Sequence, residues 1–206
     1  MAKVWADNEE VVFDGDIPED SQRIYELMMG ALAEQRKAVV EFIVDGEDAL
    51  VANSFPANFT EIKAVSMTHD EITMRLTKAT MARVENLESE IGAYAQNILS
   101  TAWSEVFKQM DEFISKIQPF ADLVDNVSPY SNAYSPPWST RLQEISSEQA
   151  GTLGSVLKCF EQGNVAGLSD EITIHLVPLV RKISKFFSKE VVPQLEQIVK
   201  GQANPA

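Results

Sequence analysis

Glu171 and His175 stand four residues apart in a segment with helical spacing, so their side chains share one face. A carboxylate and an imidazole so placed can hold a metal ion, or the carboxylate can orient the ring for proton transfer. Catalytic zinc takes three protein ligands, and the other histidine, His69, falls in a different predicted element. The expectation for the pair is therefore a hydrogen bond along a helix, with no metal and no cofactor assigned. His69 follows the helix-start signal at Thr68, beside Asp70 and Glu71. Acidic residues at that place complement the positive end of a helix, which accounts for them without catalysis. Cys159 sits next to Phe160 near the predicted end of a helix, away from the helix N-terminal setting that activates thiols. It is expected to be buried and unreactive, and with no second cysteine it forms no internal disulfide. The acidic cluster Asp14, Asp16, Glu19 and Asp20 lacks the alternating oxygen ligands and the terminal bidentate glutamate of a calcium loop. Its acids read as helix-start residues around Pro18. No residue is assigned a catalytic role, and the chain contains no glycine-rich phosphate loop or nucleophile elbow.

Two groups of residues suit binding. Tyr130, Tyr134 and Trp138 lie in a stretch with Pro129, Pro136 and Pro137, and aromatics held by prolines lose little entropy on contact with a partner. The competing expectation is that these rings pack on their own bundle. Arg181, Lys182, Lys185 and Lys189 recur at three- and four-residue spacing around Phe186 and Phe187, which places the cations on one helix face and lets the aromatics turn inward.

The elements that must position these residues follow from periodicity and punctuation. Val4, Trp5, Val11, Val12 and Phe13 flank the turn-prone pair Asp7-Asn8, a hairpin signal. Ser21 to Gln35 carries helical spacing through Ile24, Leu27, Met28 and Ala31. A β-branched run from Val39 to Val44 ends at Asp45-Gly46, and a further strand is predicted over 59–67, giving a unit of three or four strands and one helix. Thr68 with Glu71 matches a capping box. From there apolar residues recur from Ile72 through Leu76, Leu87 and Ile98 to Ile117. One unbroken helix over that run would be about 75 Å long, against a radius of gyration of roughly 17 Å for a compact chain of this size. A break is predicted at 97–104, with Gly92 as a second position. Residues 128–139 read as a non-helical connector. Ser146 with Gln149 marks another helix start, Gly163-Asn164 a stop, and the last helical stretch begins near Ser169 with a kink or restart at Pro178 and Pro193.

The fold class is thus α+β and mostly α: a small strand-and-helix unit over 1–67, a bundle of about four long helices over 68–200, and a disordered tail over 201–206. The segment from Gly163 through Ser169 and Ile172 to Pro178 resembles a family of small, uncharacterised bacterial helical proteins; the resemblance implies a bacterial source and brings no activity with it.

The whole chain of 206 residues carries 17 Lys and Arg against 31 Asp and Glu, a net charge of −14. That balance weighs against nucleic acid or an anionic membrane as the main partner, since phosphate binding relies on lysine and arginine displacing counterions. The charge is uneven: residues 1–65 hold 14 acids and 5 bases, 66–127 hold 10 and 5, and 128–206 hold 7 and 7. With no signal-peptide core and no membrane-length apolar stretch, a cytoplasmic protein is expected. The function expected is a non-enzymatic interaction module, an adaptor or chaperone-like binder of another protein. Two alternatives stand beside it. One is a small-ligand-binding protein or enzyme with a pocket between sheet and bundle. The other is a self-associating protein, a homodimer seamed along the Ile72–Ile117 face.

Overall fold

The computed structural model describes residues 2–203. The protein is α+β and mostly helical, with a five-stranded sheet in its first third and helices thereafter. It divides into two compact units between Ile72 and Thr73.

In the first unit, β1 (Lys3–Ala6) turns through Asp7 and Asn8 into β2 (Glu9–Glu10). Both turn residues have positive φ, 50° and 69°, which aspartate and asparagine tolerate better than other non-glycine residues. After α1 (Ser21–Ala33), β3 (Lys37–Val44) turns at Asp45-Gly46 into the two-residue β4 (Glu47–Asp48), and the four-residue α2 (Ala49–Ala52) leads on to β5 (Glu61–Thr68). The strand order is β2-β1-β5-β3-β4, with β1 parallel to β5 and every other pair antiparallel. The sheet thus has five strands rather than three or four, because the two short hairpin returns pair as well. Its core comprises Val4, Ile24, Met28, Phe42, Val44 and Ile62. Val39 also faces this core although its parity differs from that of Phe42. The register against β5 slips by one residue between Val39 and Glu41, and this bulge turns both side chains to the same side. That is why the β3 sequence reads as a run rather than a strict alternation.

In the second unit, the expected 72–117 helix is divided into α3 (His69–Val84), α4 (Leu87–Asn97), a 3₁₀ turn (Ile98–Ser100), α5 (Trp103–Lys108) and α6 (Met110–Asp125). The predicted break at 97–104 is present, with Thr101 and Ala102 extended. The Ser100 and Thr101 hydroxyls donate back to the Asn97 carbonyl, at 3.1 and 2.9 Å, and so close the end of α4. Gly92 lies inside α4, and the other divisions fall at Glu85-Asn86 and Gln109. Thr68 caps α3 as predicted, accepting from the Glu71 N–H at 3.2 Å. The buried face of α3 differs from the apolar stripe: Leu76 is 42% exposed, whereas Thr73, Thr77 and Thr80 are buried. The Thr80 hydroxyl is satisfied by returning to the helix, donating to the Leu76 carbonyl, whereas the buried Thr77 hydroxyl has no hydrogen-bond partner among the described residues.

Three further corrections concern helix ends. Residues 128–134 form α7 (Ser128–Tyr134), not a non-helical connector; Pro129 occupies the first turn, where a missing N–H costs nothing, and only Pro136 and Pro137 follow the helix end. The next helix, α8 (Ser139–Glu161), starts seven residues before Ser146. Gln149 is no capping residue; it is buried mid-helix and donates to the Phe120 carbonyl at 2.8 Å. Gly163, with φ of 64°, ends the helix as predicted. Asn164 then caps α9 (Val165–Asp170) by accepting from the Gly167 N–H, so helix resumes four residues ahead of Ser169.

Helical geometry then continues to Ala203 through α10 (Val177–Phe186) and α11 (Val192–Ala203), with π-helical stretches at Glu171–Leu176 and Phe187–Val191. Each π stretch ends two residues before a proline. Proline donates no N–H, so the carbonyl four residues back loses its partner. Ahead of Pro178 the Val177 N–H reaches Ile172, and ahead of Pro193 the Val192 N–H reaches Phe187, both five residues back. Helix therefore covers 201–203, where a disordered tail was expected; 204–206 lie outside the described residues. The core of this unit gathers Leu87, Ile91, Phe113, Ile117, Phe120 and Phe187 among others. Of the Ile72–Ile117 stripe, Leu87, Ile91, Ile98, Phe113 and Ile117 are buried in this core, whereas Leu76 and Ala102 are exposed. No helix among the described residues is long and apolar enough to cross a membrane.

Candidate functional site: a cationic groove on the C-terminal helix

Arg181, Lys182, Lys185 and Lys189 share the outer face of α10 and the π stretch that follows, while Ile183, Phe186 and Phe187 on the opposite side are buried. The cations line a groove of about 350 Å³ that also includes Pro178, Glu190 and, from the first turns of α8, Arg141. The Arg141 guanidinium lies 5.3 Å from the centre of the Phe186 ring, so the groove has an aromatic base beneath its charges.

Ion pairing separates the five cations into two classes. Arg141 pairs with Glu190, Lys182 with Glu148, and Arg181 with Glu88. The last contact is forked, the Arg181 Nε donating to both Glu88 oxygens at 3.1 and 3.2 Å. The Arg181 hydrogen bond holds the Glu88 carboxyl below the usual glutamate range, against a smaller opposing effect of burial. Lys185 and Lys189 are exposed and make no ion pair among the described residues. Two free ammonium groups four residues apart, flanked by positioned cations over an apolar base, can receive carboxylates or other anions.

The other sequence-derived positions are placed differently. Tyr130 and Trp138 are buried, 7% and 4% exposed, with ring centroids 6.1 Å apart and near-parallel planes; Tyr134 is half-buried against Tyr130. These aromatics belong to the bundle core, the competing expectation above, and they do not join the groove. Glu171 and His175 approach only to 4.0 Å on the first π stretch, beyond hydrogen-bond distance and with the imidazole mostly exposed, so the hydrogen bond expected between them is not formed. Among the described residues no group of three His, Cys, Asp or Glu could hold a metal ion. Cys159 is half-buried; burial, aided by the charge of Glu171, pushes its thiol up and away from the reactive thiolate. His69 sits in the first turn of α3, its backbone N–H donating to the Arg36 carbonyl at 2.9 Å.

No known family model, no characterised protein and no solved structure matches the chain. Arg141 was not singled out in the sequence, since nothing local ties it to a helix 40 residues downstream; only the packing of α8 beside the C-terminal helices brings it in. A second cavity, of about 170 Å³, lies between α4 and α6 and is lined by Glu90, Tyr94, Glu112, Phe113 and Lys116. Tyr94 stacks on Phe113 at 4.7 Å, and its buried hydroxyl has no hydrogen-bond partner among the described residues. Burial, with the nearby Glu112 charge, pushes its phenol up.

Proposed function

We propose that this protein is a non-enzymatic interaction module that binds an acidic segment of another protein in the cationic groove of α10. The observation that carries the reading is the pair of unpartnered lysines, Lys185 and Lys189, in a molecule of net charge −14. Lys3 and Lys158 also make no ion pair among the described residues; what sets Lys185 and Lys189 apart is that they face a concavity already built from three oriented cations and an aromatic ring. Exposed pairs between such groups contribute little singly, but several acting together steer association and fix its orientation. The net negative charge meanwhile discourages indiscriminate association with other acidic molecules.

The test is fluorescence anisotropy of a labelled glutamate-rich peptide against the full chain. Saturable binding that weakens as salt rises from 50 to 300 mM, and that falls at least fivefold in K185E/K189E, is the expected result. An affinity unchanged by the double reversal would remove the groove from the function. The small-ligand alternative has one observation in its favour, the partnerless Tyr94 hydroxyl beside a cavity. A thermal-shift screen of small polar metabolites is its test, with stabilisation that saturates in the wild type and is lost in Y94F.

A further inference from the structure

Lys185 belongs to two concavities. On one side it lines the cationic groove; on the other it lines a second groove, of about 470 Å³, between α3, α6 and α10. The second groove is of opposite character. Val84 and Leu123 form a buried apolar floor, Met81 is half-buried on its wall, and Ala82 and the single acid Glu85 are exposed at its rim. On α10 and the π stretch, Ser184 and Ser188 face the apolar side, one position round the helix from the 181/185/189 cation row. An apolar trough and a cationic trough thus run side by side, with one lysine as the ridge between them.

We infer that the occupant is an amphipathic α-helix of another protein, with an apolar stripe seated over Met81, Val84 and Leu123 and an adjacent acidic stripe on Lys185 and Lys189. The inference rests on the acidic-partner reading and narrows it from any acidic segment to a helix of defined patterning. A purely anionic chain would satisfy the lysines and leave the trough wet. A helix presents neighbouring stripes at i, i+3, i+4 and i+7, the arrangement needed to fill both troughs at once. Charge complementarity selects acidic over basic partners: the cationic trough carries five positive groups and one acid, and even the acids paired to it from outside, Glu88 and Glu148, leave it positive.

The experiment titrates the full chain into three labelled 16-residue helical peptides: one with a leucine stripe beside a glutamate stripe, one with the leucines replaced by glutamine, and one with the glutamates replaced by lysine. The leucine–glutamate peptide is expected to bind at least tenfold more tightly than the glutamine version, and the lysine version not at all. A82Q, at an exposed helical position, adds bulk to the trough without charge and is expected to weaken the leucine–glutamate peptide about tenfold and to leave the glutamine version unchanged. S188Q, checked for folding by circular dichroism, repeats the test from the opposite wall. Equal affinity of the two acidic peptides, or indifference of both rim variants, would overturn the amphipathic-helix inference while leaving the acidic-partner reading in place. Failure of both acidic peptides to bind would overturn the two together. An equally charged single-stranded oligonucleotide binding more tightly than either peptide would assign the groove to nucleic acid. A doubled mass in light scattering that A82Q restores to about 23 kDa would assign the troughs to a second copy of the chain.

Discussion

Replacing Ser169 by alanine should weaken the helical unit by an amount that can be worked from its surroundings. Ser169 is buried on α9, and its hydroxyl donates at 2.8 Å to the carbonyl of Ala95, itself fully buried in the last turn of α4. That turn gives way to a 3₁₀ turn after Asn97, so its carbonyls depend on partners from outside the regular ladder. Leaving a buried acceptor unpaired costs roughly 1–3 kcal/mol. Alanine returns about 0.5 kcal/mol through its higher helix propensity, so the net loss should be about 0.5–2.5 kcal/mol. For a unit of this size that is a fall in the unfolding midpoint of roughly 2–10 °C. The measurement is urea and thermal unfolding followed by tryptophan emission in a W5F background, where the remaining Trp103 and Trp138 both report on the helical unit. S100A is the control, because its hydroxyl also donates to an α4 carbonyl but from an exposed position. A loss in S169A of less than about 0.3 kcal/mol, or no greater than that of S100A, would refute the reasoning that burial sets the cost.

Y94F removes a buried hydroxyl that has no partner, so it should leave stability unchanged or raise it by up to about 1 kcal/mol; a clear loss by the same unfolding assay would show that the hydroxyl is satisfied in solution. The Asp45 carboxyl is held below its ordinary value, first by the Thr60 hydroxyl and then by the Glu61 and Thr60 backbone N–H groups. A depressed folded-state value stabilises at pH above the unfolded carboxylate range and is lost as pH falls through the folded value. D45N should therefore be less stable than wild type at pH 7, with the two urea midpoints converging as pH falls below the ordinary carboxylate range; a gap independent of pH would remove the carboxylate as its cause. A Cβ at Gly167 would lie 2.3 Å from the Asn164 amide nitrogen, displacing the side chain that caps α9. N164A alone should cost about 1 kcal/mol and close to nothing in a G167A background, which a double-mutant cycle by urea unfolding would show. Thiol labelling of Cys159 in the native state should be slow at pH 7 and accelerate only as pH rises well above the ordinary thiol range.

Local chemistry was legible wherever one or two residues decide the backbone. Asp7-Asn8 and Asp45-Gly46 turn the chain because those residues accept positive φ; Thr68 starts α3 through its own hydroxyl; Gly163 ends α8; the two prolines disturb the last helix where they stand. The cationic stripe was equally legible, since helical spacing alone puts Arg181, Lys185 and Lys189 on one face. What failed were inferences about which face of an element meets the core. The apolar stripe of α3 pointed to Leu76, yet Thr73, Thr77 and Thr80 are inside. The Ser146–Gln149 pattern has the composition of a helix start, yet Gln149 serves a carbonyl of α6 from the middle of α8.

The sequence by itself determined the class of the protein, its tight turns, the start of α3 and the end of α8, and the existence of a basic helix face, because these depend on the covalent properties of residues within a few positions of one another. Only tertiary structure decided what that face can do. Arg141 reaches the groove from α8, Glu88 and Glu148 neutralise two of its cations from other helices, and Met81, Val84 and Leu123 lay an apolar trough along its flank. Which lysines remain unpaired, and what surface lies beside them, depends on the packing of helices separated by tens of residues, and hydrophobic periodicity carries no information about those distances.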